Sequence, residues 1–412
     1  MNFVEKQSED SLWNNQNRYE ERYVMQIIMI LILLGAVIGL IVNTGRKLFL
    51  WFRPLFAGAS PLVFGAIYGM IMTAVLVFFV LSRIPDSPIP RVFFLADHYA
   101  LGAAVYVVIF VNSADFVLFL LKLCRLLPVP LSQGVSVTAG AAALGLSAVL
   151  TLYGGIHASM IKTQHYDIEL QADKRASDSM KIALISDIHM GYVIEEKHVE
   201  KIVAAINAAE PDLVCIAGDI FDGDITALKN PSVLQELFRE IKAPYGVYAC
   251  LGNHDAGAGY EEMLDFLDKA GIHLLQDEEV LIDDRIILAG RKDSGPIGNQ
   301  GRKRTVLEAS AKTEELPRVV LDHKPENIGE YHKSTDLILC GHTHRGQFFP
   351  GNLINEVSMD VNYGYYRKNA ESPQAVVTSG AGTWGPPMRV GTDNEVAVIR
   401  ITFPTAEKGT VK

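Results

Sequence analysis

Cysteine is scarce in this chain: Cys124, Cys215, Cys250 and Cys340 are all there are in 412 residues, and each lies far from the others. A disulfide framework and a zinc-ribbon site both need closely spaced cysteines, so neither is available. Basic charge is also short in the C-terminal part, where Lys and Arg number 27 against 39 Asp and Glu beyond residue 160. Phosphate backbones are gripped by Lys and Arg, so a nucleic-acid partner is not expected. Internal repeats and low-complexity segments are missing. The polar segment 1–23 is too long and too acidic for the leading region of a signal peptide, and the apolar run after it reads as a retained anchor.

What the sequence does have is apolar length. Hydrophobic residues make up 49% of the chain and charged ones 20%, and the formal net charge is −10. The apolar excess gathers before residue 160, where Lys and Arg number 10 against 8 Asp and Glu. A bilayer is spanned by about 20 apolar residues in a helix. Stretches 24–43, 61–81, 99–121 and 134–155 meet that length, so an all-α transmembrane part of about four helices is expected over 24–157. Leu48–Ala59 carries Arg53 and Pro54 and reads as an interfacial connection; as a fifth span it would reverse the side of everything after it. With four spans, the side shared by the termini carries Arg18, Arg22, Arg83, Arg91, Lys162, Lys174 and Arg175, and the other side carries Arg46, Lys47, Arg53, Lys122 and Arg125. That bias points to an integral protein of the cell membrane with its C-terminal part in the cytoplasm. Asp115, beside Asn112 and Ser113, is the acid inside a span, and helix contact or function are both open to it.

After a linker at 158–180 the period changes. Short β-rich runs at 181–186, 212–217, 246–251, 280–282, 286–289, 318–321, 337–340, 375–379 and 395–401 alternate with amphipathic helices at 195–209, 233–241 and 260–270. An α/β domain over 181–405 is expected. Several of its strands end abruptly in residues that bind metals: Asp187-Ile-His189, Gly218-Asp219-Ile-Phe-Asp222, Gly252-Asn253-His254-Asp255, His323 and Gly341-His342-Thr-His344. Ligands gather at the carboxyl ends of strands in such sheets. A mixed carboxylate and imidazole set suits Mn, Fe, Zn or Co rather than Ca. Cys215, Cys250 and Cys340 end strands beside these clusters and read as small buried hydrophobes.

In that order the five clusters resemble the signature of the calcineurin-like metallophosphoesterase superfamily. Ser379-Gly-Ala-Gly382, Pro386, Pro387, Arg389 and the run Gly341–Gln347 look like its membrane-associated branch, which includes transmembrane proteins with a metallophosphoesterase domain. The resemblance implies two β-sheets in an α/β/β/α sandwich and two divalent metal ions. It places Asp187, His189 and His344 on one metal, Asn253, His323 and His342 on the other, and Asp219 between them. It makes His254 the acid for the leaving group and Asp222 the carboxylate that orients it; for Asp255 a structural and a functional role are equally open. The implied reaction is hydrolysis of a phosphomonoester or phosphodiester by a hydroxide that bridges the metals. Gly223 and Asp255 stand where protein phosphatases of the superfamily have Arg and Glu, which disfavours a phosphoprotein substrate. A membrane-associated, lipid-linked phosphoester is expected. Soluble nucleotides or phosphodiesters, or a membrane sensor that regulates the hydrolase, are the alternatives. Phe348-Phe349-Pro350, beside the last cluster, read first as internal packing, with contact to a lipid chain or the membrane surface as the alternative.

Overall fold

The computed structural model describes residues 3–412 except 57, 85, 86, 88, 171–178, 299–303, 306, 308–315, 332, 333 and 404–412, and only the backbone of 3–24 and 26. Lys174, Arg175 and His332 therefore lie outside the described residues. The first helix, α1 (Phe3–Trp51), takes in most of the polar N-terminal segment as well as the first apolar run. It is followed by α2 (Pro61–Leu81), α3 (Arg91–Leu123) and α4 (Gln133–His157). Among the described residues, four helices are long and apolar enough to cross a membrane, the first over Ile27–Trp51. Between α1 and α2 lies one 3-10 turn, Arg53–Phe56, so the doubtful stretch makes no fifth span.

The chain divides into two units, residues 1–74 with 103–148, and residues 75–102 with 149–412. In the first unit Trp51, Val111, Leu118 and Ala143 form a small buried cluster. Several polar groups of this unit are paired. Lys47 Nζ is 2.5 Å from Asp115 Oδ1, Asn43 donates to Asn112 at 2.9 Å, and Asn112 donates to Thr44 at 2.7 Å. Asp115 thus has a cationic partner one helix away, the arrangement expected of an acid that joins helices.

The second unit holds two six-stranded sheets among its described residues. The strands are β1 (Ile161–Glu169), β2 (Met180–Ile185), β3 (Leu213–Ala217), β4 (Val247–Cys250), β5 (Ile272–Leu274), β6 (Glu278–Ile282), β7 (Ile286–Gly290), β8 (Arg318–Leu321), β9 (Leu337–Cys340), β10 (Gly364–Tyr366), β11 (Gln374–Val377) and β12 (Asn394–Thr402). One sheet runs β1-β12-β2-β3-β4-β5 and the other β10-β11-β9-β8-β7-β6. Helices α5 (Glu196–Ala209), α6 (Pro231–Arg239) and α7 (Tyr260–Lys269) cover the outer face of the first. Val199, Ile202, Val203 and Ile206 of α5 are buried there, one stripe of a 3.6-residue period. Ile182, Leu184, Leu213 and Cys215 meet Leu288, Val319, Leu321 and Leu339 between the sheets. On the far face of the second sheet, Ile338, Cys340, Ala375 and Val377 are covered by Ile328, Tyr331, Val361 and Tyr366.

The expected linker needs correcting. Its stretch Ile161–Glu169 is β1, which pairs in parallel with β12 from Ile161↔Asn394 to Glu169↔Thr402. As an edge strand it leaves most of its residues exposed, with Ile168 buried, so its sequence is polar and resembles a connection. No free span separates α4 from the sheet either, because Asn394 donates to the Ala158 carbonyl at 2.6 Å.

Candidate metal centre

Strands β2, β3 and β4 run parallel, as do β8 and β9 in the second sheet. Their carboxyl ends carry every cluster singled out in the sequence. Asp187 and His189 follow β2, Asp219 follows β3, Asn253 and His254 follow β4, His323 follows β8, and His342 and His344 follow β9. Asp187, His189, Asp219, His342 and His344 all adopt positive φ, between 49° and 73°. That region disfavours side chains at about 1–3 kcal/mol each and persists where the surroundings enforce it, as at functional sites. Glycine permits the approach. A Cβ on Gly218, at φ 80°, would come within 2.6 Å of the Gly252 nitrogen and 2.8 Å of His323 Nδ1.

Two groups of donor atoms result. In the first, His189 Nε2 lies 3.0 Å from His344 Nε2, and His344 Nε2 lies 3.5 Å from Asp187 Oδ1. Asp187 is fixed by a hydrogen bond from Ser186 Oγ and by the His342 backbone N–H at 2.9 Å. In the second, His323 Nδ1 donates to the Ala217 carbonyl at 2.8 Å. The neutral ring then has its lone pair on Nε2. Nε2 faces Asp219 Oδ2 at 3.2 Å, Asn253 Oδ1 at 3.2 Å and His342 Nδ1 at 3.1 Å. Asp219 belongs to both groups, since its Oδ2 is also 3.6 Å from His189 Nε2. Imidazole nitrogens and carboxylate oxygens gathered this closely are a donor set that fits divalent metal ions, and the sets Asp187-His189-His344 and Asp219-His323-His342 are each close enough to hold one.

The electrostatics agree. Burial opposes the charged form of His323, yet Asp219 and Asp187 push it up to about 10, a sign of how strongly this spot attracts positive charge. Burial also works against the Asp219 carboxylate, but His323 and His189 hold it well below the usual range. His342 is lowered to about 3 by burial and by His323, and His254 to about 4, chiefly by burial, so both imidazoles are neutral near pH 7.

Asp255 has a structural role: its two oxygens accept from the Phe221 N–H at 2.9 Å and the Gly252 N–H at 2.8 Å, tying the loop after β3 to the loop after β4. Asp222 lies close to His189 and His254. Its nearest partners are Arg83 Nη1, at 2.8 Å, and His189 Nδ1, at 3.5 Å. Arg83 entered the sequence reading only as a charge flanking a span, and no motif marks it. Arg389 was visible as part of a motif but not in its job. Fully buried, it donates to Asn394 Oδ1 at 2.6 Å and to the carbonyls of His344, Ser379 and Gly382 at 2.9, 2.8 and 2.6 Å, clamping the His344 loop to the loop after β11. His198, on α5, donates to the Ala381 carbonyl at 2.7 Å and braces that same loop.

The calcineurin-like phosphoesterase family profile matches residues 180–346. An uncharacterized metallophosphoesterase of Aquifex aeolicus is 31% identical over 264 residues, which are 62% of this chain and 97% of that protein. The chain belongs to the calcineurin-like phosphoesterases. A second relative, an uncharacterized metallophosphoesterase of Helicobacter pylori, is 32% identical over 60% of this chain and 66% of its own length. A transmembrane protein with metallophosphoesterase domain from Danio rerio is 30% identical over 62% of this chain and 61% of its own length. This phosphoesterase is accordingly a metal-dependent phosphoester hydrolase with membrane-spanning helices.

Proposed function

We propose that this phosphoesterase holds two divalent transition-metal ions and hydrolyses a phosphomonoester or phosphodiester presented at a membrane surface. Asp187, His189 and His344 would hold one ion and Asn253, His323 and His342 the other, with Asp219 reaching both. The observation that carries this reading is the convergence of imidazole nitrogens and carboxylate oxygens on the two sides of Asp219. When bound, such ions supply Lewis acidity toward phosphoryl oxygens and lower the pKa of water. The chain supplies the rest. The His254 backbone N–H donates to Asp219 Oδ1 at 2.8 Å, which fixes that residue beside the ligands. Its imidazole has an N–H to offer the departing oxygen in either protonation state. Asp222 is close enough to orient that ring, as the family resemblance implies.

Two observations support a membrane-associated substrate, a lipid-linked phosphoester first among the candidates. Arg83, two residues beyond α2, reaches Asp222. Helix α8 (Gly351–Ser358), seven residues beyond His344, buries none of its residues and exposes Leu353, Ile354 and Val357. Such a helix suits the headgroup boundary of a bilayer. The basic excess beside the termini supports a cytoplasmic catalytic domain in the cell membrane.

The test is hydrolysis of p-nitrophenyl phosphoesters by detergent-purified protein. Activity should vanish with chelator and return best with Mn²⁺ or a similar ion. His254→Ala should keep its metal and lose about 10²–10⁴-fold in rate, the scale of a general acid. A wild-type rate in His254→Ala, or activity indifferent to chelation, would refute the reading.

A further inference from the structure

Arg83 is an odd residue to find at a hydrolytic centre, because it comes from the end of a membrane-spanning helix and not from a motif. Its Nη1 is held at 2.8 Å by Asp222. Its guanidinium carbon lies 4.9 Å from the centre of the Phe79 ring and 5.3 Å from that of Trp384. Trp384 in turn is 5.9 Å from the His254 ring. Gln347 ties down the backbone of Trp384: its side-chain amide donates to the Trp384 carbonyl at 2.9 Å and accepts from the Trp384 backbone N–H at 2.8 Å. The guanidinium plane is thus fixed by a carboxylate at one corner and by two aromatic rings.

Yet only one corner is used. Nε and Nη2 of Arg83 are inaccessible to solvent and have no hydrogen-bond partner among the described residues. A guanidinium has five N–H donors in one planar fork, and leaving buried charged donors unmatched is costly. An anion beside His254 would reach them once the groups that cover this edge moved aside. Asp222 does not compete for that edge, since it takes Nη1 and also faces His189.

We propose that Arg83 is a substrate-binding residue whose free Nε and Nη2 edge takes a non-bridging oxygen of the phosphoester. The proposal rests on the phosphoesterase reading above and extends it: the phosphoryl group is gripped from two sides, by the metal centre and by a residue carried on the membrane-spanning part. Planar, two-pronged recognition of phosphate is what arginine provides and lysine does not. It also explains why Trp384 is kept close to His254, as one face of the slot that orients the arginine.

The experiment uses the full chain, loaded with Mn²⁺, as wild type, Arg83→Gln and Arg83→Lys. Affinity for inorganic phosphate is measured by calorimetry, KM and kcat on a soluble chromogenic phosphoester, and metal per chain by elemental analysis. Arg83→Gln should bind phosphate about 10-fold or more weakly and raise KM in parallel, as expected for losing a hydrogen bond to a charged group. Arg83→Lys, which keeps the charge next to Asp222 but not the fork, should fall between. Metal content should be unchanged. If Arg83→Gln does not fold, Arg83→Lys decides on the same titration. Phosphate affinity equal to wild type in the variants that fold would overturn the proposal. So would loss of metal in Arg83→Lys, which would make Arg83 a brace of the centre. A wild-type protein that neither binds phosphate nor hydrolyses the ester would fail at the underlying function instead, and is told apart by that inactivity.

Discussion

Individual residues at the centre show what chemistry demands and what packing adds. The seven ligand candidates were legible because each is a polar residue at the abrupt end of an apolar strand, and the fold brings all seven to one edge. Asp255 was not legible, since Asp beside a ligand reads the same whether it binds substrate or caps a turn; only its two backbone donors decide. Arg83 was less legible still, because its partner lies 139 residues away in sequence. The role of Asp255 yields a prediction. Burial pushes its carboxyl up to about 7, with Asp219 adding to the effect, and the two N–H groups it accepts from are themselves buried. Asp255→Asn, which turns an NH₂ toward one of those donors, should lower stability by about 1–3 kcal/mol in denaturant melts. An unchanged midpoint would show that the two loops hold together without it.

Elements were readable wherever periodicity was strong. The amphipathic period of α5 and the apolar runs of β8 and β9 stand in the structure almost where the sequence puts them. What escaped were β1, β5 and β10, which are short or exposed edge strands, and α8. Edge strands bury little, so their sequences carry little pattern. Helix α8 escaped for another reason: it buries none of its residues, so its apolar positions mark no core-facing stripe. Phe348 and Phe349 part company here. Its chain pairs with Val390 inside the domain, whereas Phe349 and α8 carry the exposed apolar surface. Changing Leu353, Ile354 and Val357 together to Ser should depress hydrolysis of a lipid-linked phosphoester in vesicles severalfold and leave a soluble chromogenic ester unaffected. Equal loss on both would mean folding damage, and loss on neither would remove α8 from substrate access.

On the scale of the whole molecule, four candidate spans, an even number, would place both termini on one side. The charge bias that points this side to the cytoplasm is diluted by pairing, since Arg91 holds the carbonyls of Gly191, Tyr192 and Ala227, and Lys162 pairs with Asp393. A charge needed for packing is no free reporter of topology. Single cysteines placed near residue 5 and near residue 410, in a background freed of exposed Cys124, should label from the same face of sealed vesicles. Opposite faces would require an odd number of spans.

The claim on which everything else depends is the pair of metal sites joined by Asp219. Mn²⁺ titrated calorimetrically into chelator-treated protein should bind at two sites per chain, and Asp219→Ala should abolish or severely weaken both. Failure of the wild-type protein to bind Mn²⁺, Fe²⁺, Zn²⁺ or Co²⁺, or undiminished binding by Asp219→Ala, would contradict it.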